Sequence, residues 1–430
     1  MKNIFVIGLE PFNEALLKTL PEARDYRFHE LLGYREAIRP AAATIDFDAL
    51  VETAARRLDG FDGRVDAIIG YWDFPCSALV AVLRHRFGLP TPTLESVALC
   101  EHKYWSRLAQ AEAAPEIVPP FQAVDPFGPD PLAALTLPFP FWIKPVKAHS
   151  SFLGFHVDDP AEFATVLPII RRGIGHFGAP FDAFLARVNR PEAGGDVDGH
   201  HCIAEAIISE GRQCTLEGYV HQGETTVYGV VDSIREGRRG SCFGRYQYPS
   251  TLPADAQARM IAAAARIMAR FGYDGAPFNM EFYWDPETDA IRVLEVNARL
   301  SKSHSPLFLL VDGVTHQRVG IDLALGCAPD MPRRAGRFAV AAKFMLRVFE
   351  DGVVRAAPTE SDLAALTERF PEARARVLAH PGQRLAHLPY QDSYSYEIAE
   401  IFLGAESEDA LLEKYREAQA LLPFAFDASG

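Results

Sequence analysis

The stretch FNMEFYWDPETDAIRVLEVNARL (278–300) constrains this chain more than any other. Two runs of alternating apolar and polar residues flank a turn at Asp285–Asp289. That pattern predicts a β-hairpin. Strand side chains alternate between faces. Phe278, Met280, Phe282 and Trp284 therefore share one face, and Asn279, Glu281 and Tyr283 the other. In the second run Leu294, Val296, Ala298 and Leu300 oppose Glu295, Asn297 and Arg299, and Arg292 falls on the apolar face. Closing the hairpin with Trp284 opposite Arg292 sets Glu281 directly across from Glu295. Like charges so placed destabilise a sheet, unless a cation lies between them. Magnesium takes one or two carboxylates and completes its shell with waters and substrate phosphates. Glu281, Glu295 and Asn297 form such a donor set, and Arg299 is placed to neutralise a transferring phosphoryl group. The plainer alternative is a solvated face on which Glu295 pairs with Arg299.

Upstream residues fit the phosphate reading. Lys144 lies mid-strand in FPFWIKPV among apolar neighbours, where a lysine needs an anion. Lys103, on a helix spanning 96–112, is a second candidate for a nucleotide phosphate. The turn KAHSSFLG (147–154) offers Ser150 and Ser151 hydroxyls, although it is poor in glycine for a phosphate cradle. Glu205 is one acid in the apolar strand CIAEAII, and the backbone from Ala206 to Ile208 is a candidate for the adenine edge. An acid facing water is the rival reading of Glu205.

The remaining chain alternates strands and helices. NIFVIG (3–8) and DAIIG (66–70) read as buried strands, with helices at 12–20 and 77–88, which suggests an open α/β sheet. Residues 171–200 read as irregular. His200 and His201 adjoin the strand CIAEAII; adjacent histidines suggest a metal, but neighbours in a strand point to opposite faces, which counts against that role for the pair. TLEGYVHQGETTVYGVVDSI (215–234) is a hairpin turning at His221–Glu224. ADAQARMIAAAARIMARFG (254–272) is a helix ended by Gly272, and Ser407 is the N-cap of a last amphipathic helix.

The net charge of −14 argues against a nucleic-acid footprint. No run of about 18 apolar residues predicts a membrane span, and the N-terminal twenty residues do not read as a signal peptide. Six cysteines without a CxxC pair suggest free thiols and a cytoplasmic setting. Cys76 is a small buried residue or, less simply, a nucleophile.

The ordered set Lys103, Lys144, Glu205, Glu281 and Glu295-Val-Asn297-Ala-Arg299 resembles the ATP-grasp superfamily. The resemblance covers about residues 1–330 and extends more loosely to the end. It implies mixed α/β and α+β architecture in three parts. A Rossmann-like domain (1–95) precedes an ATP-grasp domain (96–332) with a mobile lid at about 141–210, and a C-terminal α+β cap (333–430) follows. It further implies that Lys103 and Lys144 bind ATP phosphates and that Glu205 marks the adenine hinge. Glu281, Glu295 and Asn297 then hold magnesium or manganese, and Arg299 steadies an acyl phosphate. Gln213 stands where the family often has a ribose-binding acid. LEVNARLSKSHSPLFLL is similar to carbamoyl-phosphate synthetases and biotin carboxylases, which activate bicarbonate. Biotin carboxylases carry a Glu–His pair after the arginine, whereas here Ser303 precedes His304. FGRYQYPSTLP (243–253) and the tail from Lys343 look more like free-standing amino-acid ligases. The resemblance therefore implies a carboxylate–amine ligase acting on small molecules, possible as a homodimer. Arg245, Lys302 and His304 are its candidate substrate residues. Two rivals stand beside it: a bicarbonate-activating enzyme, and a nucleotide-binding regulatory protein without turnover.

Overall fold

The computed structural model describes residues 1–38, 45–148, 152–208, 211–237, 242–388 and 395–428. The chain divides into two units. The first comprises Met1–Tyr228, Pro253–Lys302 and Gln317–Asp330; the second comprises Gly229–Leu252, Ser303–His316 and Met331–Gly430.

In the first unit, β1 (Lys2–Leu9) buries Ile4, Phe5, Val6 and Ile7, side chains of both faces, as a central parallel strand must. Helix α1 (Pro11–Leu17), β2 (Tyr26–Gly33), α2 (Phe47–Asp59), β3 (Ala67–Ile69) and α3 (Cys76–Arg86) follow. The strands form a parallel sheet in the order β2-β1-β3. Because β1 lies between its two partners, the loops after β1 and β3 leave the same edge side by side. Trp72 in the second loop donates its indole N–H to the Gly8 carbonyl at 2.9 Å. Gly8 has φ +71°, and a Cβ there would lie 2.8 Å from the Trp72 ring. Only glycine permits that approach.

The single helix expected at 96–112 is two helices, α4 (Leu94–Glu101) and α5 (Lys103–Ala113). His102 breaks it, with φ −91° and ψ 99°. Its Nδ1 accepts the Trp105 N–H at 3.2 Å and so caps α5. Its Nε2 meets the Val197 carbonyl at 3.1 Å. Burial pushes the imidazole down to about 3, so it stays neutral. The break frees the Lys103 N–H for the Val146 carbonyl at 3.0 Å.

Next come β4 (Phe121–Val124), β5 (Phe141–Pro145), β6 (Phe155–Val157), α6 (Pro160–Gly173), α7 (Gly175–Leu185) and β7 (Cys202–Ala206). The strands form an antiparallel sheet in the order β4-β7-β5-β6. Phe141, Ile143, Val157, Phe163, Ile170, Ile174 and Cys202 form the core between this sheet and α6. Helix α7 lies in a stretch expected to be irregular. Its Gly and Pro residues are poor helix formers, but Phe177, Phe181, Phe184 and Leu185 bury one helical stripe and override propensity.

Strand β8 (Arg212–His221) turns at Gln222–Gly223 into β9 (Glu224–Glu236), which crosses from the first unit to the second at Gly229. After β10 (Cys242–Tyr248) and α8 (Ala254–Phe271) come β11 (Ala276–Trp284) and β12 (Ile291–Asn297). Within the first unit these strands pair in the order β12-β11-β8, antiparallel throughout. One face carries Cys214, Leu216, Phe278, Met280, Phe282, Val293 and Val296, all buried, and Cys214 lies 3.5 Å from Met260 of α8. Each large side chain so buried contributes about 1.5–3 kcal/mol.

Glu281 faces Glu295, but Trp284 faces Ile291, not Arg292. A bulge lies between Glu281 and Phe282, so that Leu294 has no partner on β11. An extra residue inverts the alternation beyond it. Arg292 therefore leaves the apolar face assigned to it and donates to the Glu116 carbonyl at 3.1 Å.

In the second unit, α9 (Ser305–Asp312) precedes β13 (Val340–Val348), β14 (Gly352–Ala356), α11 (Glu360–Arg369), β15 (Arg374–Val377), β16 (Tyr396–Ala405), α12 (Glu408–Ala420) and β17 (Ala425–Ala428), while α10 (Gln317–Ala324) returns to the first unit. The main sheet runs β9-β10-β13-β16-β15. Phe344, Ile401, Leu403, Leu411 and Ala418 form its core, with Tyr415 stacked on Phe344 at 3.9 Å. Ser407 caps α12 as expected, accepting the Ala410 N–H at 3.2 Å.

Candidate active site

The polar face of β8, β11 and β12 is built in rows set by register. Glu217, Asn279 and Asn297 form one row; Thr215, Glu281 and Glu295 form the next; Gln213, Tyr283 and Arg292 form the third. Glu217 and Asn279 are buried, as are Thr215 and Gln213. A buried row of this kind must satisfy its own polar atoms. Asn279 does so for its neighbours. It accepts from Asn297 Nδ2 at 2.9 Å and donates to the Arg299 carbonyl at 3.2 Å. Asn297 thus turns its amide nitrogen to Asn279. The Ser301 N–H reaches both Glu217 oxygens at 3.3 Å.

Gln213 donates to Glu281 Oε2 at 2.8 Å and accepts from the Tyr283 hydroxyl at 2.9 Å. Both ends of its amide are thus turned to protein. Burial, reinforced by the facing Glu295, raises the Glu281 carboxyl above its ordinary range. Burial acts on Glu295 in the same sense, but Lys103 and Lys144 outweigh it and hold that carboxylate low.

The cations arrive from two other elements. Lys103, the first residue of α5 after the His102 break, places Nζ 3.3 Å from Glu295 and donates to the Ala148 carbonyl at 3.0 Å. Burial disfavours its charge, yet Glu295 reverses this and raises its pKa. Lys144 of β5 lies 2.6 Å from Glu205 of the adjacent strand β7. Arg107 of α5 reaches the other Glu205 oxygen at 2.5 Å and donates to the Leu294 carbonyl at 2.8 Å. Arg107 thus receives the carbonyl exposed by the bulge. Glu205 does not face water: burial would raise it, but Arg107 and Lys144 bring it down to about 2. Burial lowers Lys144, and Glu205 offsets that only in part. Lys147, just past β5, pairs with Glu101 at the end of α4, and both are buried.

Arg299 follows β12. Its Nε and NH2 lie 2.7 and 2.6 Å from Asp73 Oδ1, in the loop after β3. Burial works against its charge, and Asp73 outweighs that and raises its pKa. Lys302 lies over the Trp72 ring at 4.5 Å.

Lys103, Lys144, Glu205, Glu281, Glu295, Asn297 and Arg299 therefore gather from several elements into one cluster, together with Gln213. Ala206 gives its N–H to the Pro120 carbonyl at 2.9 Å, and Ile208 is half-buried just beyond β7. Ser150 and Ser151 lie outside the described residues. Arg245 and His304 belong to the second unit. There the Arg245 guanidinium pairs with Glu408, and the His304 ring stands edge-on to Tyr246 at 5.1 Å. Cys76 is buried and its thiol is pushed up to about 12, unsuited to nucleophilic work. His200 and His201 precede β7 and bind Asp182 and Asp198, each at 2.8 Å.

Sequence reasoning missed Asp73, Arg107 and Glu217, and placed Asn279 on the polar face without giving it a part in the site. Asn279 had a signal, since the alternation that gave Glu281 puts it on the same face, whereas Glu217 joins that face through the pairing of β8 with β11. Asp73 and Arg107 had none, because their partners are more than ninety residues away.

Opposed carboxylates, an amide oxygen and nearby cations can hold a divalent ion and polyphosphate together. The family described as carbamoyl-phosphate synthase L chain, ATP binding domain, matches residues 247–328. The carbamoyl phosphate synthase large chain, C-terminal section, of Methanopyrus kandleri is 27% identical over 129 residues; the match spans 30% of this chain and 23% of that one. Over the whole chain the fold is similar to that of an L-amino acid ligase from Bacillus licheniformis, with TM-score 0.74, 16% identity and 99% of each chain covered. A biotin carboxylase from Campylobacter jejuni superposes with TM-score 0.65 and 14% identity, over 99% of this chain and 92% of that one. A phosphoribosylglycinamide synthetase from Anaerococcus prevotii gives TM-score 0.62 at 12% identity, over 99% and 100%. No helix among the described residues is long and apolar enough to cross a membrane. Over its whole length the chain therefore has the fold of these ligases and synthetases, and the stretch that carries β11 and β12 matches the carbamoyl-phosphate synthase ATP-binding family.

Proposed function

We propose that this chain is an ATP- and magnesium-dependent carboxylate–amine ligase that forms an amide or peptide bond through an acyl phosphate. The observation that carries the reading is the row Glu281–Glu295, two half-buried carboxylates facing each other on paired strands. The donor set suits magnesium: hard oxygens from two carboxylates and one amide, with room in the chemistry for phosphate and water. Glu281, Glu295 and Asn297 would hold the ion, and manganese fits the same set. When bound, the ion supplies charge neutralisation between phosphate oxygens.

Lys103 and Lys144 bind the phosphate chain. A substrate carboxylate attacks the γ-phosphorus, forming the acyl phosphate and releasing ADP. Arg299 stabilises the charge on the group in transit. The amine then attacks the acyl carbon, loses a proton and expels phosphate. No covalent nucleophile on the protein is needed, since positioning and electrostatics carry the work. The name of the Bacillus licheniformis relative supports an amino acid as one substrate. We assign the three parts to 1–95, 96–332 and 333–430, with a lid at about 141–210 that closes against water. Small-molecule partners, a cytoplasmic setting and a homodimer belong to the same reading.

A bicarbonate-activating enzyme is the second reading, favoured by the match of residues 247–328 to a carbamoyl-phosphate synthase domain. Ser303 where biotin carboxylases carry glutamate counts against that reading. The test is phosphate release from magnesium-ATP across pairs of amino acids and small carboxylic acids, with bicarbonate alone as a separate arm. We expect release to need an amino acid and to fall at least a hundredfold in Glu295→Ala, as for loss of about 3 kcal/mol of transition-state stabilisation. Release driven by bicarbonate alone selects the second reading. ATP binding without turnover on any pair points to a regulatory protein, and full activity in Glu295→Ala refutes the metal assignment.

A further inference from the structure

The cation after β12 has a choice of anions. Arg299 shares its surroundings with Glu281 and Glu295, and both carboxylates feel its charge. Left to itself, a guanidinium on a flexible stem would be drawn onto them as a salt bridge. That contact would occupy the metal ligands and the catalytic cation at once. Arg299 forms no ion pair with Glu281 or Glu295 among the described residues. Its Nε and NH2 turn instead to Asp73 Oδ1, at 2.7 and 2.6 Å, and NH1 meets the Leu300 carbonyl only at 3.4 Å.

Asp73 is well placed to win this competition. Its carbonyl accepts the N–H of Cys76, the first residue of α3, at 2.9 Å. The preceding Trp72 is pinned to Gly8 at 2.9 Å, and the Lys302 ammonium rests on its ring. The loop after β3 therefore presents a fixed carboxylate, backed by a buried ring and a helix start. Two adjacent residues of that loop hold the two cations that follow β12.

We propose that Asp73 is a positioning residue. It draws the Arg299 guanidinium off Glu281 and Glu295, so that the carboxylates remain for the metal and the guanidinium for the phosphoryl group. This rests on the role given to Arg299 under the proposed function, and makes the N-terminal sheet part of the reaction apparatus.

The test uses the full-length protein and needs no identified substrate. The MgADP complex is titrated with beryllium fluoride, a mimic of the phosphoryl group, in wild type, Asp73→Asn, Arg299→Lys and the double variant. We expect Asp73→Asn and Arg299→Lys each to weaken fluoride binding at least tenfold. The double variant should be no weaker than about threefold below Arg299→Lys, because Asp73 acts through that side chain. Should Asp73→Asn fail to fold, Asp73→Glu replaces it, with a several-fold weakening and the same lack of additivity. Wild-type affinity in the Asp73 variant, or fully additive losses, overturns the proposal while Arg299 keeps its role. Wild-type affinity in Arg299→Lys overturns the Arg299 role and the proposal together. Absence of MgADP binding to wild type overturns the nucleotide reading itself.

Discussion

Two of the strand pairs in this molecule that bury charge do so in opposite ways. In the second unit β13 meets β16 with Lys343 2.5 Å from Glu400, and Arg376 of β15 adds a contact to the same carboxylate at 3.1 Å. Opposite signs meet across the sheet. In the first unit β11 meets β12 with Glu281 directly across from Glu295. The first arrangement neutralises itself and is a structural device. The second leaves carboxylates in excess between its strands, and relief must come from elsewhere: Lys103 from α5 supplies part of it to Glu295. A sheet shaped by stability alone has no reason to keep such a row. Binding a cation is a reason.

The largest effect expected from this contrast is in the second unit. Glu400→Ala would leave Lys343 and Arg376 without their shared carboxylate, and Lys343 is only 7% exposed. Breaking one partner of a buried pair costs about 3–5 kcal/mol. Urea denaturation measures it, and a loss under about 1 kcal/mol would erase the distinction between the two sheets.

Glu205 comes next. Its carboxyl is held at about 2 in the folded protein, against 4.5 unperturbed. A depressed carboxyl contributes stability above its unfolded pKa, and that contribution is lost as pH falls through the folded value. Glu205→Gln should therefore be less stable than wild type at neutral pH, by about 3 kcal/mol from the size of the shift. The gap should close between pH 4.5 and about 2. A gap independent of pH would show that the Arg107–Glu205–Lys144 cluster is not what tunes this group.

The smallest effect has the opposite sign. Glu281→Gln removes one member of the like-charged row while keeping an acceptor for Gln213. In the presence of a chelator it should raise stability by about 0.2–1 kcal/mol. A melting temperature lower than wild type under those conditions would mean that Glu281 is already compensated.

Much of this site was legible because alternation is a local property. Two strands of period two were enough to put Glu281, Glu295, Asn297 and Arg299 on one face and to oppose the two acids. What the sequence hid is where that period fails. The bulge at Leu294 adds a residue without any glycine or proline to mark it, so Arg292 was put on the wrong face. The break at His102 was equally silent, since its cause is a histidine capping α5 and holding the distant Val197 carbonyl. Lys144 was read as needing an anion, and here the anion is Glu205, two strand positions away on the neighbouring strand. Asp73 was out of reach for a different reason: only the fold brings residue 73 to residue 299.

The central claim is that the opposed carboxylates of β11 and β12 are a divalent-cation site. The most direct measurement is the binding of manganese, read by electron paramagnetic resonance, with a non-hydrolysable ATP analogue present, in wild type and in Glu295→Ala. We expect saturable binding in wild type, and a loss of at least tenfold in affinity in the variant. Equal manganese affinity in the two proteins would contradict the account.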